Sequence, residues 1–185
     1  MRRILRTGAA YRVCDRHWTD PLDTAYSKAN GGRWNPPDRG DRPGFGALYL
    51  NATRAAARAD ARRHVRDVFG ATAFLEDLSP EVLPDLQHVT IAQAALLDAL
   101  THDGIADLGL ADTYPEQIPH PPCQGHAAAV YDELDGVAAL SAVAPREEEW
   151  AIFDRAVSGV VRRGPRVPFA AWWTSAEPEG PADGA

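Results

Sequence analysis

A single α+β domain is the fold class this sequence predicts, on three observations. Short apolar or alternating segments are interleaved with helix-like ones in no regular βαβ order, which favours α+β over a regular parallel sheet. With 185 residues the chain is long enough to bury a core without disulfide help, and it holds only two cysteines, Cys14 and Cys123. Hydrophobic residues make up 45% and charged ones 24%, a globular composition, and no run approaches the ~20 apolar residues of a membrane helix.

The elements follow in order. Residues 9–14 (AAYRVC) read as a short strand, and residues 19–46 as a long irregular segment dense in Gly, Pro, Asp and Asn, a length that usually marks either function or disorder. ALYL (47–50) is a compact apolar strand. Thr53 then caps a helix over roughly 54–68, rich in the strong helix formers Ala and Arg, with Arg54, Arg58 and Arg62 forming one basic stripe and Asp60 on a different side. Ser79-Pro80-Glu81 has the pattern of a helix start. LQHVTI (86–91) alternates as a strand, and AQAALLDAL (92–100) reads as a helix. Four prolines in residues 112–123 argue against regular structure there. Residues 124–134 read as a helix, Asp135-Gly136 as a turn, VAAL (137–140) as a buried strand ending at Ser141, EWAIF (149–153) as another, and AVSGVV (156–161) as a further one. The domain is expected to span residues 1–176, with a frayed acidic tail from Glu177.

The net charge of −7 divides unevenly: residues 1–66 carry 14 basic and 6 acidic side chains, residues 67–185 carry 5 and 20. A basic first third is suited to facing an anion. With a single lysine and no basic stripe interleaved with aromatics, direct nucleic-acid binding is disfavoured. The N-terminus lacks the apolar region of a secretion signal, so a reducing cytoplasmic setting is expected. There is no Walker loop, no G-x-G-x-x-G after a strand and no G-x-S-x-G elbow. Two C-x-x-H pairs, Cys14/His17 and Cys123/His126, have zinc-ligand types without the surrounding knuckle, and buried thiols are the simpler reading; no metal is expected.

YRV (11–13), GGRWNPP (31–37), ALYL (47–50) and VAALSA (137–142), in this order and at these separations, resemble the RES domain over roughly residues 9–155, most specifically in GGRWN before a Tyr-containing strand. The resemblance implies an ADP-ribosyltransferase-like fold, a small twisted mixed sheet flanked by helices and split around a nucleotide cleft. It implies cleavage of the nicotinamide–ribose bond of NAD⁺, by glycohydrolysis or phosphorolysis, in toxins silenced by a DNA-binding antitoxin. It places the substrate-holding arginine at Arg33, the pocket tyrosine at Tyr49, the family glutamate at Asp60 and the serine at Ser141. Arg12, Trp34 and Asn35 join the NAD⁺-binding set.

These residue types suit that chemistry. Loss of nicotinamide leaves positive charge on the ribose, which a fixed carboxylate stabilises most in the transition state. Arginine grips pyrophosphate with a planar fork, tyrosine offers a flat face to the ring, and a serine hydroxyl both donates and accepts. Each has a plainer role available: Arg33 stitching a Gly-rich loop, Tyr49 packing in the core, Ser141 ending a strand. Asp60 departs from the family pattern, its carboxylate about 1.5 Å, one carbon–carbon bond, shorter in reach than glutamate's. A misplacement near 1 Å can cost ~100-fold in rate. Hence two alternatives stay open: transfer of an ADP-ribosyl or nucleotide group within a biosynthetic pathway, and a non-catalytic nucleotide-binding module. The Glu147–Glu149 run is a substitute source of carboxylate, although it reads as a solvated turn before a strand. Two-fold dimers being the commonest oligomers, a homodimer is among the expectations.

Overall fold

The computed structural model describes residues 1–116 and 118–174, apart from the side chain at position 76. In chain order the elements are β1 (Arg3–Cys14), α1 (Ala25–Asn30), β2 (Ala47–Asn51), α2 (Arg54–Phe69), β3 (Asp85–Ala99), α3 (His102–Asp107), α4 (His120–Val130), β4 (Gly136–Leu140), β5 (Glu148–Phe153), α5 (Asp154–Val160), β6 (Val161–Val167) and α6 (Phe169–Trp173). Two 3₁₀ turns lie between α2 and β3. The domain end at 176 and the tail from Glu177 lie outside the described residues.

Six strands form one mixed sheet flanked by helices, as the sequence predicts, in the order β1-β2-β5-β4-β3-β6. Only β3–β4 is parallel. β1 also pairs with β3 from Arg3↔Leu97 to Cys14↔Asp85, so five strands close into a ring to which β6 is appended. β1 meets β2 at Tyr11↔Asn51 alone, where the ring is thinnest.

The two-residue period of the strands sorts side chains between two cores. Leu48 and Leu50 of β2, Leu96 of β3 and Ile152 of β5 enter one core, closed by Ala156 and Val160 of α5. Ala47, Leu97, Ala151 and Phe153 enter the other, with Cys123, Ala127 and Val130 of α4 and with Trp34 and Phe45 from the long loop. Ala57, Ala61 and Val65 of α2 pack against Leu83, Leu86, Phe169 and Trp172 in a third cluster. Trp172 anchors the C-terminal helix there, its indole N–H donating to Pro84 O at 3.2 Å.

Three local expectations are corrected. Residues 92–99 continue β3 and are not helical. Ala and Leu favour helix, but this stretch is held at its edges by β1 and, from Leu96, by β4, and Leu96 and Leu97 enter the cores on opposite faces of the sheet; a strand buried on both faces reads as a continuous apolar run. Residues 156–160 belong to α5, where Ala156 and Val160 bury one helical turn apart, and the strand begins only at Val161. Helix α4 starts at His120, inside the proline-rich stretch; Pro121 and Pro122 occupy the first turn, whose N–H groups have no helical acceptor to lose.

α2 forms where the sequence places it, Thr53 Oγ1 accepting from the Ala56 N–H at 3.1 Å. Its arginine stripe serves packing: Arg54 lies over the Tyr11 ring at 5.8 Å and Arg62 over Trp173 at 4.8 Å. Among the described residues no helix is long and apolar enough to cross a membrane.

Candidate active site

A cleft of about 330 Å³ opens where β2 and β5 run out from the sheet, lined by Gly31, Gly32, Arg33, Tyr49, Leu50, Asn51, Asp60, Arg63, His120, Ala142 and Glu149. Its floor follows from strand register. Tyr49 lies opposite Ala151 and Asn51 opposite Glu149, so Tyr49, Asn51 and Glu149 project from one face of the paired strands.

The wall is the GGRWN loop. Tyr49 holds it, its hydroxyl accepting from the Trp34 N–H at 2.9 Å and donating to Asn35 Oδ1 at 2.9 Å. Asn35, fully buried, turns its amide to Ser27 O and Phe45 O at 2.7 and 2.9 Å. The glycines make this approach feasible. Gly31 has φ of +74°, and a Cβ on Gly32 would stand 2.4 Å from the Tyr49 hydroxyl. Burial raises the Tyr49 pKa, so the phenol stays protonated and keeps its donor role.

Arg33 is 8% exposed and points inward. Its guanidinium donates to Pro115 O at 3.2 Å, to Leu140 O at 2.7 Å and to Glu149 Oε1 at 2.7 Å, while lying 5.7 Å over the Tyr114 ring. Burial, the largest single influence, lowers its pKa, but the charge and hydrogen bond of Glu149 together with Tyr114 and Cys123 act the other way, and the net direction is upward. Asp60 reaches the cleft from α2, with Asn51 Nδ2 at 3.4 Å from its Oδ2. Burial raises the Asp60 pKa against the opposing pull of Asn51, Arg63, His64 and Arg12. Burial likewise raises that of Glu149, with Arg33 pulling down and Asp60 adding to the rise.

The profile of the RES domain family matches residues 9–172. The chain belongs to the RES domain family. A chain in the crystal structure of the M. tuberculosis MbcT–MbcA toxin–antitoxin complex is similar in fold, with a TM-score of 0.74 at 22% identity, covering 92% of this chain and 90% of that one. No sequence among curated proteins matches.

In this RES domain the cleft gathers Arg33, Tyr49 and Asp60, three of the residues singled out in the sequence. Others lie elsewhere. Ser141 is fully buried, its hydroxyl accepting from the N–H groups of Val143 and Ala144 at 3.3 Å each, and its neighbour Ala142 lines the cleft instead. Arg12 lies outside the lining; it donates to Pro21 O and Asp23 O and stacks 5.0 Å over Trp18. Trp34 and Asn35 are fully buried behind the wall, Trp34 edge-on to Tyr114.

The Glu147–Glu149 run is not a solvated turn. Glu147 accepts from Thr53 Oγ1 at 2.6 Å, Glu148 pairs with Arg6 at 2.6 Å, and Glu149 pairs with Arg33. Asn51, Arg63 and His120 were not singled out. Arg63 had a signal, one helical turn beyond Asp60, and Asn51 lay two residues beyond Tyr49 on the same strand face; His120 had none. Among the described residues no group of three or more His, Cys, Asp or Glu gathers in a manner that could hold a metal ion. Cys14 lies at the end of β1 against Asp85 O and Cys123 in the core under α4, so the two C-x-x-H pairs sit on separate elements.

Proposed function

We propose that the protein cleaves the nicotinamide–ribose bond of NAD⁺ and passes the ribosyl group to water or phosphate. The observation that carries this reading is the Asp60 carboxylate, at the family's glutamate position, lining one cleft with Tyr49 and the Arg33 loop of a RES domain. Tyr49 supplies a ring face against which nicotinamide stacks. As the C1′–N bond breaks, its electron pair leaves with nicotinamide, which departs neutral, and positive charge develops on C1′ and the ring oxygen. Asp60, desolvated by the cleft wall, stabilises that charge more in the transition state than in the ground state. A water or phosphate oxygen then bonds to C1′; with water, the proton released passes to the Asp60 carboxylate or to solvent.

The phosphate contacts fall to Arg63 in this reading. Arg33 is committed to Glu149 and two carbonyls, whereas Arg63 lines the cleft with a 54% exposed side chain. Its ion pair with Asp67 is exposed on both sides, and such pairs contribute little and exchange readily. The fold shared with a chain of the MbcT–MbcA complex supports the wider context: a toxin of the NAD⁺-degrading kind, restrained by an antitoxin partner.

The test is nicotinamide release from NAD⁺ by purified protein, with and without phosphate, resolved by chromatography. Wild type releases nicotinamide, and Asp60→Asn lowers the rate by ~100-fold or more, the scale of removing one preorganised electrostatic group. Absence of release by wild type, or equal rates for the two proteins, refutes the proposal.

A further inference from the structure

We propose that a second pocket, beside the cleft, holds a purine base bearing an amino group, the adenine of the dinucleotide whose nicotinamide end enters the cleft. The inference rests on the reading of NAD⁺ as the ligand and adds the place of its other half. The cleft, at about 330 Å³, stands at the small end of ligand pockets, so a dinucleotide overfills it and one base must lodge elsewhere. A cavity of about 290 Å³ lies where the loop after β1 meets α1, lined by Arg12, Trp18, Thr19, Asp20, Asp23 and Tyr26. The two are neighbours. Tyr26 and cleft-lining Gly31 are five residues apart across α1, about 7–8 Å of helix rise. Arg12 follows Tyr11, the strand partner of cleft-lining Asn51, and Arg12 and Asp60 each shift the other's pKa.

Three features suit this pocket to a base. Trp18 and Tyr26 are 38% and 73% exposed, two large aromatic rings in one small space where a planar ring finds stacking faces. The Arg12 guanidinium covers one face of Trp18, 5.0 Å from the ring centre, and leaves the other to a ligand. Asp20 and Asp23 use Oδ1 to accept from the Leu22 and Ala25 N–H groups, both at 2.8 Å, and keep Oδ2 to accept from an exocyclic amino group. The same two carboxylates repel a phosphate, so the base and not the pyrophosphate belongs here. The loop is also held ready. Arg166 donates to Asp15 O at 2.7 Å and to Trp18 O at 2.8 Å, Arg12 donates to Pro21 O at 2.6 Å, and Arg163 pairs with Asp20, so binding has little left to order.

The probes are AMP; IMP, in which a carbonyl replaces the amino group; and ribose 5-phosphate, which has no base. Their dissociation constants are measured by NMR titration of wild type, Tyr26→Ala, Tyr26→Phe and Trp18→Ala. Tyr26 is mostly exposed, so its variants are expected to fold, and circular dichroism with a melting curve establishes this for all three. Wild type binds AMP about tenfold tighter or more than ribose 5-phosphate, and more tightly than IMP. Tyr26→Ala and Trp18→Ala each weaken AMP by about tenfold, the scale of one lost base–aromatic stack, while Tyr26→Phe keeps the wild-type affinity. AMP bound no tighter than ribose 5-phosphate or IMP, or unchanged in folded Tyr26→Ala and Trp18→Ala, overturns the inference while nicotinamide release still stands. AMP bound with the expected losses, but no nicotinamide release by wild type, supports the pocket and overturns the cleavage reading alone.

Discussion

Tyr49→Phe is the substitution whose consequence the structure fixes most closely. The change deletes one oxygen and strands two partners, the Trp34 N–H and Asn35 Oδ1, each 2.9 Å from the lost hydroxyl. Neither can turn to water, because Trp34 and Asn35 have no exposed surface. A buried polar group left unsatisfied costs about 1–3 kcal/mol, so two orphans made by one deletion cost about 3 kcal/mol together. For a chain of this size each kcal/mol lowers Tm by about 2–4 °C, giving a fall of about 6–12 °C. Urea denaturation followed by tryptophan fluorescence reads the same loss as a lower midpoint with an unchanged slope. A loss below about 0.5 kcal/mol, within the range of a neutral surface change, refutes the claim that this hydroxyl ties the GGRWN loop to the sheet. A changed slope would show instead that the variant altered the compactness of the native or denatured state.

Three further outcomes are expected. Leu97→Ala, in the segment whose composition favours helix, should cost about 2–5 kcal/mol in denaturant unfolding because Leu97 is fully buried between α4 and the sheet; a cost under about 1 kcal/mol would contradict its place in β3. Asp60→Asn should raise Tm at neutral pH. A carboxyl whose pKa is raised in the folded state penalises folding above both its folded and unfolded values and not below them, so the gain should shrink as pH falls through the carboxyl range toward about 4; a gain that persists or grows in acid contradicts the sign. Cys14 and Cys123 are both buried, and burial pushes the Cys123 thiol up to about 11, so a thiol-specific chromogenic reagent should label neither in native protein and both in urea; rapid native labelling would place them at the surface.

Residues with local grammar were legible in the sequence. Thr53 before an Ala/Arg run announces α2, and ALYL and VAAL announce β2 and β4, because cap chemistry and short apolar runs act over a few residues. The family resemblance pointed to Arg33, Tyr49 and Asp60, which the fold brings to one cleft. What escaped depends on partners far away in the chain. Residues 92–99 are a strand because β1 and, from Leu96, β4 pair along its edges, a fact invisible to propensity. Glu149 enters the cleft because β5 pairs with β2, nearly a hundred residues upstream, in a register that sets it opposite Asn51. Ser141 and Arg12 sit near the site in sequence pattern, yet their polar atoms are spent on a turn and on loop carbonyls. Pattern gives position along the chain; which way a polar group faces is decided by packing.

The ring closure of β1 on β3 has a consequence for synthesis of the chain. β1 is finished at Cys14, but the strand that pairs along its whole length ends at Ala99. At ribosomal speeds of about 5–20 residues per second, β1 waits on the order of 4–17 s with its hydrogen-bonding edges open. Exposed edges invite pairing with other chains, and the arginines at positions 3, 6 and 12 are the kind of charge that discourages it. The cleft comes later still, since β5 supplies Glu149 only after most of the chain has emerged. A nascent chain therefore carries no assembled cleft until β5 has been made and has paired with β2, so the site is completed by one of the later strands of the sheet.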